Sequence, residues 1–320
     1  MSYEVVLADG SVVTTSVSVY PELWRVLKGG SNNFGIVTCF TLRSLPSAPL
    51  WLGDMLAPAA FQHANALKAY HDYLEHASSS QPGAFDENTT GPILSFVYIP
   101  SIGLQLMSLQ FVYTKAPKHK KWPVHWKETG FASLWSLYRS CKVQSHISVV
   151  ERYGRTAPAG TRHVHGTTTI RNDAETMTAA CDIFCQSTTK LRHVKGLLFP
   201  LTFQALLPGW INKGHPNVLG LEGCTEPLII VSFLVTWAQA KDDELVRSSV
   251  RHTLEQINRA AEASQSDHPY RFMTYYMEWQ RPYEGCGEEN LKLMQEASRK
   301  YDPDVFFQRG RAGGFKLYIV

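Results

Sequence analysis

Two histidines in the middle of the sequence could carry acid–base chemistry. His163 and His165 are two positions apart, so a strand over His163–Ile170 would project both imidazoles from one face, with Thr167 and Thr169 beyond them. Imidazole titrates near neutral pH, and the pair could therefore act as a general acid or base. Structural or surface histidines are one competing interpretation. A metal site is another, although no third ligand follows at a suitable spacing.

A glycine-rich segment near the start of the chain is the second candidate. Gly29, Gly30 and Gly35 enclose the run Ser-Asn-Asn-Phe. Because glycine lets the backbone approach a ligand closely, the segment predicts a binding turn. A plain end to a short helix over Pro21–Leu27 explains the glycine pair equally well.

Two further strands could line a cavity. In the predicted strand Tyr270–Trp279, Tyr276 and Glu278 share one face with Thr274. In the predicted strand Leu197–Leu206, alternate residues should present an apolar wall, and the residues between them should face the opposite side. Which side is the cavity stays open at this point. The apolar set is Phe199, Leu201 and Phe203, and the opposite set includes Thr202 and Gln204.

The elements that must position these residues indicate an α+β protein with mainly antiparallel strands. A hairpin is predicted around the Asp-Gly turn at residues 9–10, and helices are predicted where apolar residues recur at helical spacing around 61–74, 246–261 and 288–300. The remaining predicted strands are Ile36–Leu42, Ile93–Tyr98, Leu106–Tyr113 and Leu228–Trp237.

Composition is ordinary for a globular protein. The 320 residues carry 31 Lys and Arg against 28 Asp and Glu, a net charge of +3 that calls for neither nucleic acid nor membrane. The basic run Lys115–Lys121 is best interpreted as a solvated loop. Six scattered cysteines predict no metal site. No signal peptide is recognisable, so the cytoplasm is the default expectation.

Three segments in order resemble the fungal berberine-bridge-enzyme-like FAD-linked oxidoreductases, which have the vanillyl-alcohol-oxidase (PCMH-type) fold. Each motif is weak alone, and the ordered set covers nearly the whole chain. The segments are Gly29-Gly30-Ser31-Asn32-Asn33-Phe34-Gly35-Ile36-Val37-Thr38, Asn217-Val218-Leu219-Gly220-Leu221, and Trp279-Gln280 with Tyr301-Asp302-Pro303 and Gly313-Gly314-Phe315-Lys316-Leu317.

The resemblance implies FAD as cofactor and a substrate-domain sheet that covers the flavin ring. It also implies that a Tyr or Glu removes a substrate proton, for which Tyr276 and Glu278 are the candidates beside His163 and His165. The implied domains are residues 1–45 and 275–320 from the FAD-binding part and 46–274 as the substrate domain. The implied cofactor-binding residues are Gly29, Gly30, Asn33, Gly35, Val37 and Thr274.

Two departures from the family pattern weaken the expectation of flavin binding. The family's first FAD-binding subdomain would precede Tyr3, so the expected fold is a truncated one, with an antiparallel substrate-domain sheet flanked by helices and remnants of the FAD-binding domain. Thr274 stands where the family has an Asn that contacts the cofactor, and threonine lacks the amide's paired donor and acceptor. A pyrophosphate needs several convergent donors, which a single turn supplies only in part.

Three functions follow as hypotheses. The first is an FAD-linked oxidoreductase that tailors a small secondary metabolite of polyketide or terpene type. The second is a flavin-independent cyclase, isomerase or dehydratase that uses the same cavity to orient its substrate. The third is a non-catalytic paralogue or gene fragment. The expected partners are a small-molecule substrate and, through the face left by the absent lobe, a second copy or a full-length homologue, with no nucleic acid or membrane.

Overall fold

A computed structural model describes residues 1–46, 48–100, 103–116, 122–154, 160–310 and 314–317. The described residues form eleven strands and nine α-helices. The strands are β1 Ser2–Val6, β2 Val12–Ser16, β3 Ile36–Thr41, β4 Leu50–Pro58, β5 Thr89–Ile99, β6 Leu104–Tyr113, β7 Tyr138–Gln144, β8 Arg162–Arg171, β9 Phe199–Leu206, β10 Leu228–Trp237 and β11 Asp267–His268. The helices are α1 Pro21–Val26, α2 Ala59–Ser78, α3 Val124–Lys127, α4 His146–Gly154, α5 Ala174–Thr189, α6 Pro208–Ile211, α7 Asp243–Ala263, α8 Glu288–Tyr301 and α9 Phe306–Arg309.

The chain divides into two compact units. The first unit combines Met1–Pro46, Ile211–Cys224 and Pro269–Val320, and the second unit combines Ser47–Trp210 and Thr225–His268. These units differ from the predicted domains in that residues 211–224 and 269–274 pack with the first unit, although the prediction places both inside the segment 46–274. Residues 117–121 of the basic run and Gly313 lie outside the described residues.

The first unit is built on a three-stranded antiparallel sheet in the order β2-β1-β3. The β1–β2 hairpin turns where predicted, and the Asp9 carboxylate stabilises it by accepting hydrogen bonds from the backbone N–H and the hydroxyl of Ser11, at 2.9 and 2.7 Å. Proline begins α1, where its missing N–H costs nothing. The core joins α1, α8 and the 211–224 segment, through Leu23, Val26, Phe34, Val218, Tyr283, Met294 and Leu317 among others.

The second unit is an eight-stranded antiparallel sheet in the order β11-β8-β10-β9-β5-β6-β4-β7. Helices α2, α5 and α7 cover one of its faces. Phe184 of α5 lies 5.5 Å from Phe199 and 6.5 Å from Phe233, ring centroid to ring centroid. Position 166 within β8 is glycine because a β-carbon there would lie 2.5 Å from a methyl carbon of Leu254 in α7. The α+β class with an antiparallel sheet is confirmed.

The predicted strand Tyr270–Trp279 is wrong. The segment is irregular and contains one 3₁₀ turn, Met273–Tyr275; β11 ends at His268, immediately before it. Aromatic residues favour strands only where a neighbouring strand supplies the hydrogen bonds, and the only pairing nearby is that of β11 with β8. The sequence pattern also does not predict strands β4 and β7. Gly53 and Asp54 interrupt the apolar pattern of β4, and β7 is polar and largely exposed.

Within the described ranges, none of the helices combines the length and the apolar character that crossing a bilayer requires.

Candidate functional site

The sheet face opposite the helices carries a row of hydroxyl side chains. Across neighbouring strands, Ser108 is paired with Ser95, and Ser95 with Thr202. The row continues from Thr202 to Ser232 and from Ser232 to Thr167. Adjacent strands lie about 4.8 Å apart, so five hydroxyls in register span about 19 Å. The hydroxyl oxygens of Ser95 and Thr202 are 2.9 Å apart, and both side chains are half-buried.

The two candidate histidines lie on this same face of β8. Their cross-strand neighbours on β10 are Thr236 for His163 and Leu234 for His165. The strand predicted at 163–170 is confirmed, and it places both imidazoles on the side of Thr167. Burial lowers the pKa of His165, and the nearby charge of His163 lowers it further by a smaller amount. The imidazole of His165 is therefore neutral at pH 7 and able to accept a proton.

The predicted apolar wall belongs to the core instead. Phe199, Leu201 and Phe203 have no exposed surface and lie on the sheet face that the helices cover. Thr202 and Gln204 face the opposite side, where Gln204 donates to the hydroxyl of Ser232 over 3.4 Å. The polar set is thus the one available to a ligand. Sequence alone could not decide this, because an apolar wall suits a core and a cavity equally.

The other two candidate acid–base residues lie in the first unit. The Tyr276 ring makes an edge contact with Phe315 at 5.3 Å, and burial raises the pKa of its hydroxyl well above the usual value. Glu278 and Thr274 are exposed. Because the segment is not a strand, the alternation that grouped these three residues on one face does not apply. The structure therefore brings His163 and His165 together and leaves Tyr276 and Glu278 in the other compact unit.

The glycines of the candidate binding turn are explained by internal packing. A β-carbon on Gly30 would lie 2.3 Å from the ring of Phe34 and 2.5 Å from a backbone oxygen of α1. Gly35 has φ +155° and a β-carbon there would lie 2.5 Å from Val5. Gly29, at φ +123°, would meet Leu219 at 2.8 Å. Each glycine is required by the fold whether or not a ligand binds.

Asn33 holds this turn together from inside the unit. Its side chain has no exposed surface, and its Nδ2 lies 2.8 Å from the carbonyl of Gly30, 2.7 Å from the Tyr283 hydroxyl and 3.0 Å from the carbonyl of Phe315. Its Oδ1 accepts from Gln308 at 3.0 Å. These bonds give Asn33 a role in positioning the turn. The cofactor contact predicted for Asn33 stays a prediction.

An open cavity of about 750 Å³ lies beside the turn, between it and α9. Asn32 lines it, and the Oδ1 atom of Asn32 is buried without a hydrogen-bond partner among the described residues. This oxygen is shielded from solvent, so the cavity is lined by other atoms of Asn32. Asn32 carried no signal of its own in the sequence. The lining residues are Ser31, Asn32, Gly35, Ile36, Val37, Phe306, Phe307 and Gly310.

The chemistry of this cavity fits the uncharged part of a dinucleotide such as FAD. Ile36, Val37 and the two phenylalanines offer apolar surface to a flat ring, while Ser31 and Asn32 offer polar atoms at its edge. None of the lining residues is Lys or Arg, so the cavity supplies no cation for a pyrophosphate.

Lys28, immediately before the turn, is a feature that sequence reasoning missed. Its Nζ lies 3.1 Å from the centroid of the Trp24 ring and has no hydrogen-bond partner within the part of the chain that is described. Burial, reinforced by the charge of Arg25, lowers the pKa of Lys28 to about 8. The four-residue spacing of Trp24 and Lys28 could have predicted this contact, because residues four apart lie on the same side of a helical turn.

A search of the described ranges for three or more His, Cys, Asp or Glu side chains grouped as metal ligands finds none.

Comparison with known proteins finds relatives by sequence. The chain is 28% identical over 332 residues to the FAD-dependent monooxygenase FUP4 of Fusarium proliferatum, which covers 99% of this chain and 61% of that protein. It is 30% identical over 324 residues to a protein named oligopeptidase PhomG' of Diaporthe leptostromiformis, covering 98% of this chain and 25% of that one. The chain thus spans less than two thirds of the length of both relatives. No protein-family model matches it.

Solved structures establish the fold. The 6-hydroxy-D-nicotine oxidase of Arthrobacter nicotinovorans matches with a TM-score of 0.69 at 18% identity, over 96% of this chain and 64% of that one. The berberine-bridge-enzyme-like protein 1 of Physcomitrella patens matches with a TM-score of 0.70 at 15% identity, over 95% and 63%. The chain has the fold of the vanillyl-alcohol-oxidase and berberine-bridge-like oxidases over the part that it covers.

Proposed function

We propose that this chain serves an FAD-linked oxidation of a small secondary metabolite of polyketide or terpene type. The observation that carries the proposal is the cavity beside the glycine-rich turn, where the polar residues Ser31 and Asn32 meet an apolar surface. The names of relatives such as the FAD-dependent monooxygenase FUP4 support the same cofactor. When bound, FAD accepts the hydride that such an oxidation removes from carbon.

In this proposal the first unit holds the uncharged part of the cofactor. Gly35 and Val37 form one wall of the cavity through the backbone and an apolar side chain, and Asn32 places a polar side chain at the ligand edge. Gly29 and Gly30 allow the turn to adopt its backbone conformation, because any side chain at either position would displace the turn. Thr274 is exposed, and it stays a proposed contact on the resemblance alone. The fragments 1–45 and 275–320 stay proposed as FAD-binding segments.

The second unit binds and orients the substrate. The half-buried members of its hydroxyl row, Ser108, Ser95 and Thr202, present donors and acceptors over about 10 Å, which suits a substrate that carries several oxygen atoms. His165 is the proposed general base, because a neutral, partly buried imidazole on this face can take the proton of a substrate hydroxyl. His163 lies two residues away, and its Nε2 is 3.2 Å from the Thr161 hydroxyl. Tyr276 and Glu278 stay alternatives for the same role.

Titration of the purified 320-residue protein with FAD tests the proposal. We expect a flavin absorbance band that stays with the protein through gel filtration. Replacement Asn32→Leu removes this polar side chain and should weaken FAD binding by about threefold to tenfold, the usual effect of one hydrogen bond. Asn258→Leu, on α7 and outside the cavity lining, is the matched control and should bind FAD like the parent.

A flavin affinity that is equal in Asn32→Leu and the parent would show that this cavity is not the cofactor site. A folded protein that binds no flavin would contradict the oxidation proposal altogether.

A second candidate function is a flavin-independent proton transfer, such as a cyclisation or isomerisation. The observation that favours it is that the histidine pair and the hydroxyl row belong wholly to the second unit and need no cofactor to form. Holding a reactive substrate in the right orientation can itself lower the activation free energy by several kcal/mol. Turnover of a substrate without added flavin, abolished by His165→Gln, would support this candidate over the first.

A further inference from the structure

The sheet face that carries the hydroxyl row also carries apolar side chains at one end of that row. Residues two apart on a strand share a face, so the positions two and four residues from a member of the row lie on the same side. On β8 these positions hold His165 and His163. On the four strands beside β8 they hold apolar residues, which together form the apolar strip: Leu234 of β10, Pro200 and Leu198 at the start of β9, Val97 and Ile99 of β5, and Leu106 and Leu104 of β6.

The apolar strip is continuous across these four strands. Val97 pairs with Leu106 on one side and with Pro200 on the other. The pairs between β9 and β10 that flank Pro200 place Leu234 opposite it. Leu234 is in turn the cross-strand neighbour of His165. The strip therefore ends at the histidine pair.

Several members of the apolar strip are open to solvent. Leu104, Leu198 and Leu234 keep 38, 39 and 44% of their surface exposed, and the other members are half-buried. Phe199 and Val235, which point to the helix-covered face from the same strands, have no exposed surface. Apolar surface combined with a few placed polar groups is the usual composition of a small-molecule site.

The size and position of the apolar strip favour a small molecule over a protein partner. Four strands about 4.8 Å apart make it about 14 Å wide, and its two rows lie about 7 Å apart along the strands. Its area is therefore on the order of 100 Å², whereas a specific protein interface covers about 800 Å² on each partner. All four strands are interior strands of the sheet, so they offer no free backbone edge to another chain.

We propose that the substrate is amphipathic, with oxygen atoms that bind the hydroxyl row and a hydrocarbon part that covers the apolar strip, and that Leu234 determines this specificity. Ser95 and Thr202 can donate to substrate oxygens or accept from substrate hydroxyls, whereas the strip has no hydrogen-bonding side chain. Because Leu234 neighbours His165, the reacting hydroxyl is attached to the hydrocarbon part. This inference rests on the proposed function, in which the substrate lies on this face.

Calorimetric titration of the intact 320-residue protein without added flavin tests the inference. The probes are resorcinol, 4-ethylresorcinol and 4-butylresorcinol, which share two hydroxyls and differ only in their alkyl chain. We expect the affinity to rise by about threefold to tenfold with each added pair of carbon atoms, because each carbon buries further apolar area on the strip.

Two variants separate the two parts of the surface. Leu234→Ser should bind resorcinol like the parent and lose most of the gain from the alkyl chain, and its retained resorcinol binding shows that it is folded. Thr202→Val should weaken binding of all three probes by about threefold to tenfold and keep the gain. Leu245→Ser is the matched control for Leu234→Ser. Leu245 is 37% exposed and lies on α7, outside the strip, so this variant should bind all three probes like the parent.

Equal affinity for the three probes, binding of none of them, or a full alkyl-chain gain in Leu234→Ser would each overturn the inference. The FAD titration is read separately. A protein that shows the alkyl-chain gain and binds no flavin would contradict the oxidation and support the amphipathic site. A protein that binds flavin and shows no gain would contradict this inference alone.

Discussion

The most discriminating perturbation is replacement of Asn33 by leucine, which is close in size and lacks all hydrogen-bonding atoms. The hydroxyl of Tyr283 can still donate to the carbonyl of Gly30, 3.0 Å away. The carbonyl of Phe315 and the Nε2 of Gln308 would both lose the partner that Asn33 provides. A buried polar group without a partner costs about 1–3 kcal/mol, so two cost about 4 kcal/mol.

Hydrogen exchange read by mass spectrometry isolates this effect, because peptides covering residues 21–46 report on the first unit alone. A loss of about 4 kcal/mol should speed their exchange by about a thousandfold where exchange follows opening of the unit. The neighbouring replacement Asn32→Leu is the control. Its Oδ1 has no partner among the described residues, so stability should change by no more than about 0.5 kcal/mol. Equal effects of the two replacements would refute the assignment of one asparagine to the fold and the other to the cavity.

Two further predictions concern pH. Hydrogen bonds from Lys300 and Tyr301 lower the pKa of Glu22 to about 2, so its stabilising effect is complete above its ordinary pKa of 4.5 and is lost as pH falls towards 2. Glu22→Gln should therefore lower the free energy of unfolding by about 1 kcal/mol at pH 7, after allowance for solvent screening, and the difference should vanish in acid denaturation series near pH 2. For Lys28 the pKa is lowered to about 8, so the unfolded chain binds more protons between pH 8 and 10.5 and stability rises over that interval. Urea unfolding of Lys28→Met should lack this rise, and an identical pH slope in the two proteins would contradict the burial of the amine.

Much of the second unit could be predicted because its strands carry their own pattern. β10 occupies Leu228–Trp237 as predicted, since nine of its ten residues are apolar or β-branched, Ser232 being the exception, and such a run is typical of the middle of a sheet. The alternation in β8 fixed the shared face of His163 and His165 before any partner strand was known. In both strands the sequence pattern within the strand predicts the structure. Only the identity of the neighbouring strands had to come from the folded sheet.

The first unit could not be predicted in the same way, because its decisive contacts join distant parts of the chain. The cavity beside the turn needs Phe306 and Gly310 next to Ser31, although some 275 residues of sequence separate them. The segment Tyr270–Trp279 has the composition of a strand and forms none, since strand propensity is realised only where a ladder partner is present. Local composition therefore predicted a strand where the chain is irregular.

The glycine-rich turn shows why a binding motif and a packing motif look alike in sequence. Gly30 would be demanded equally by a ligand against the backbone or by the Phe34 ring, and only the 2.3 Å approach of that ring decides between them. The adjacent asparagines separate further, because consecutive residues in an irregular turn point in different directions. Asn33 hydrogen-bonds to other parts of the first unit through both ends of its amide, whereas the Oδ1 atom of Asn32 has no partner among the described residues. The two neighbouring asparagines therefore differ in their structural role, which the sequence motif alone does not distinguish.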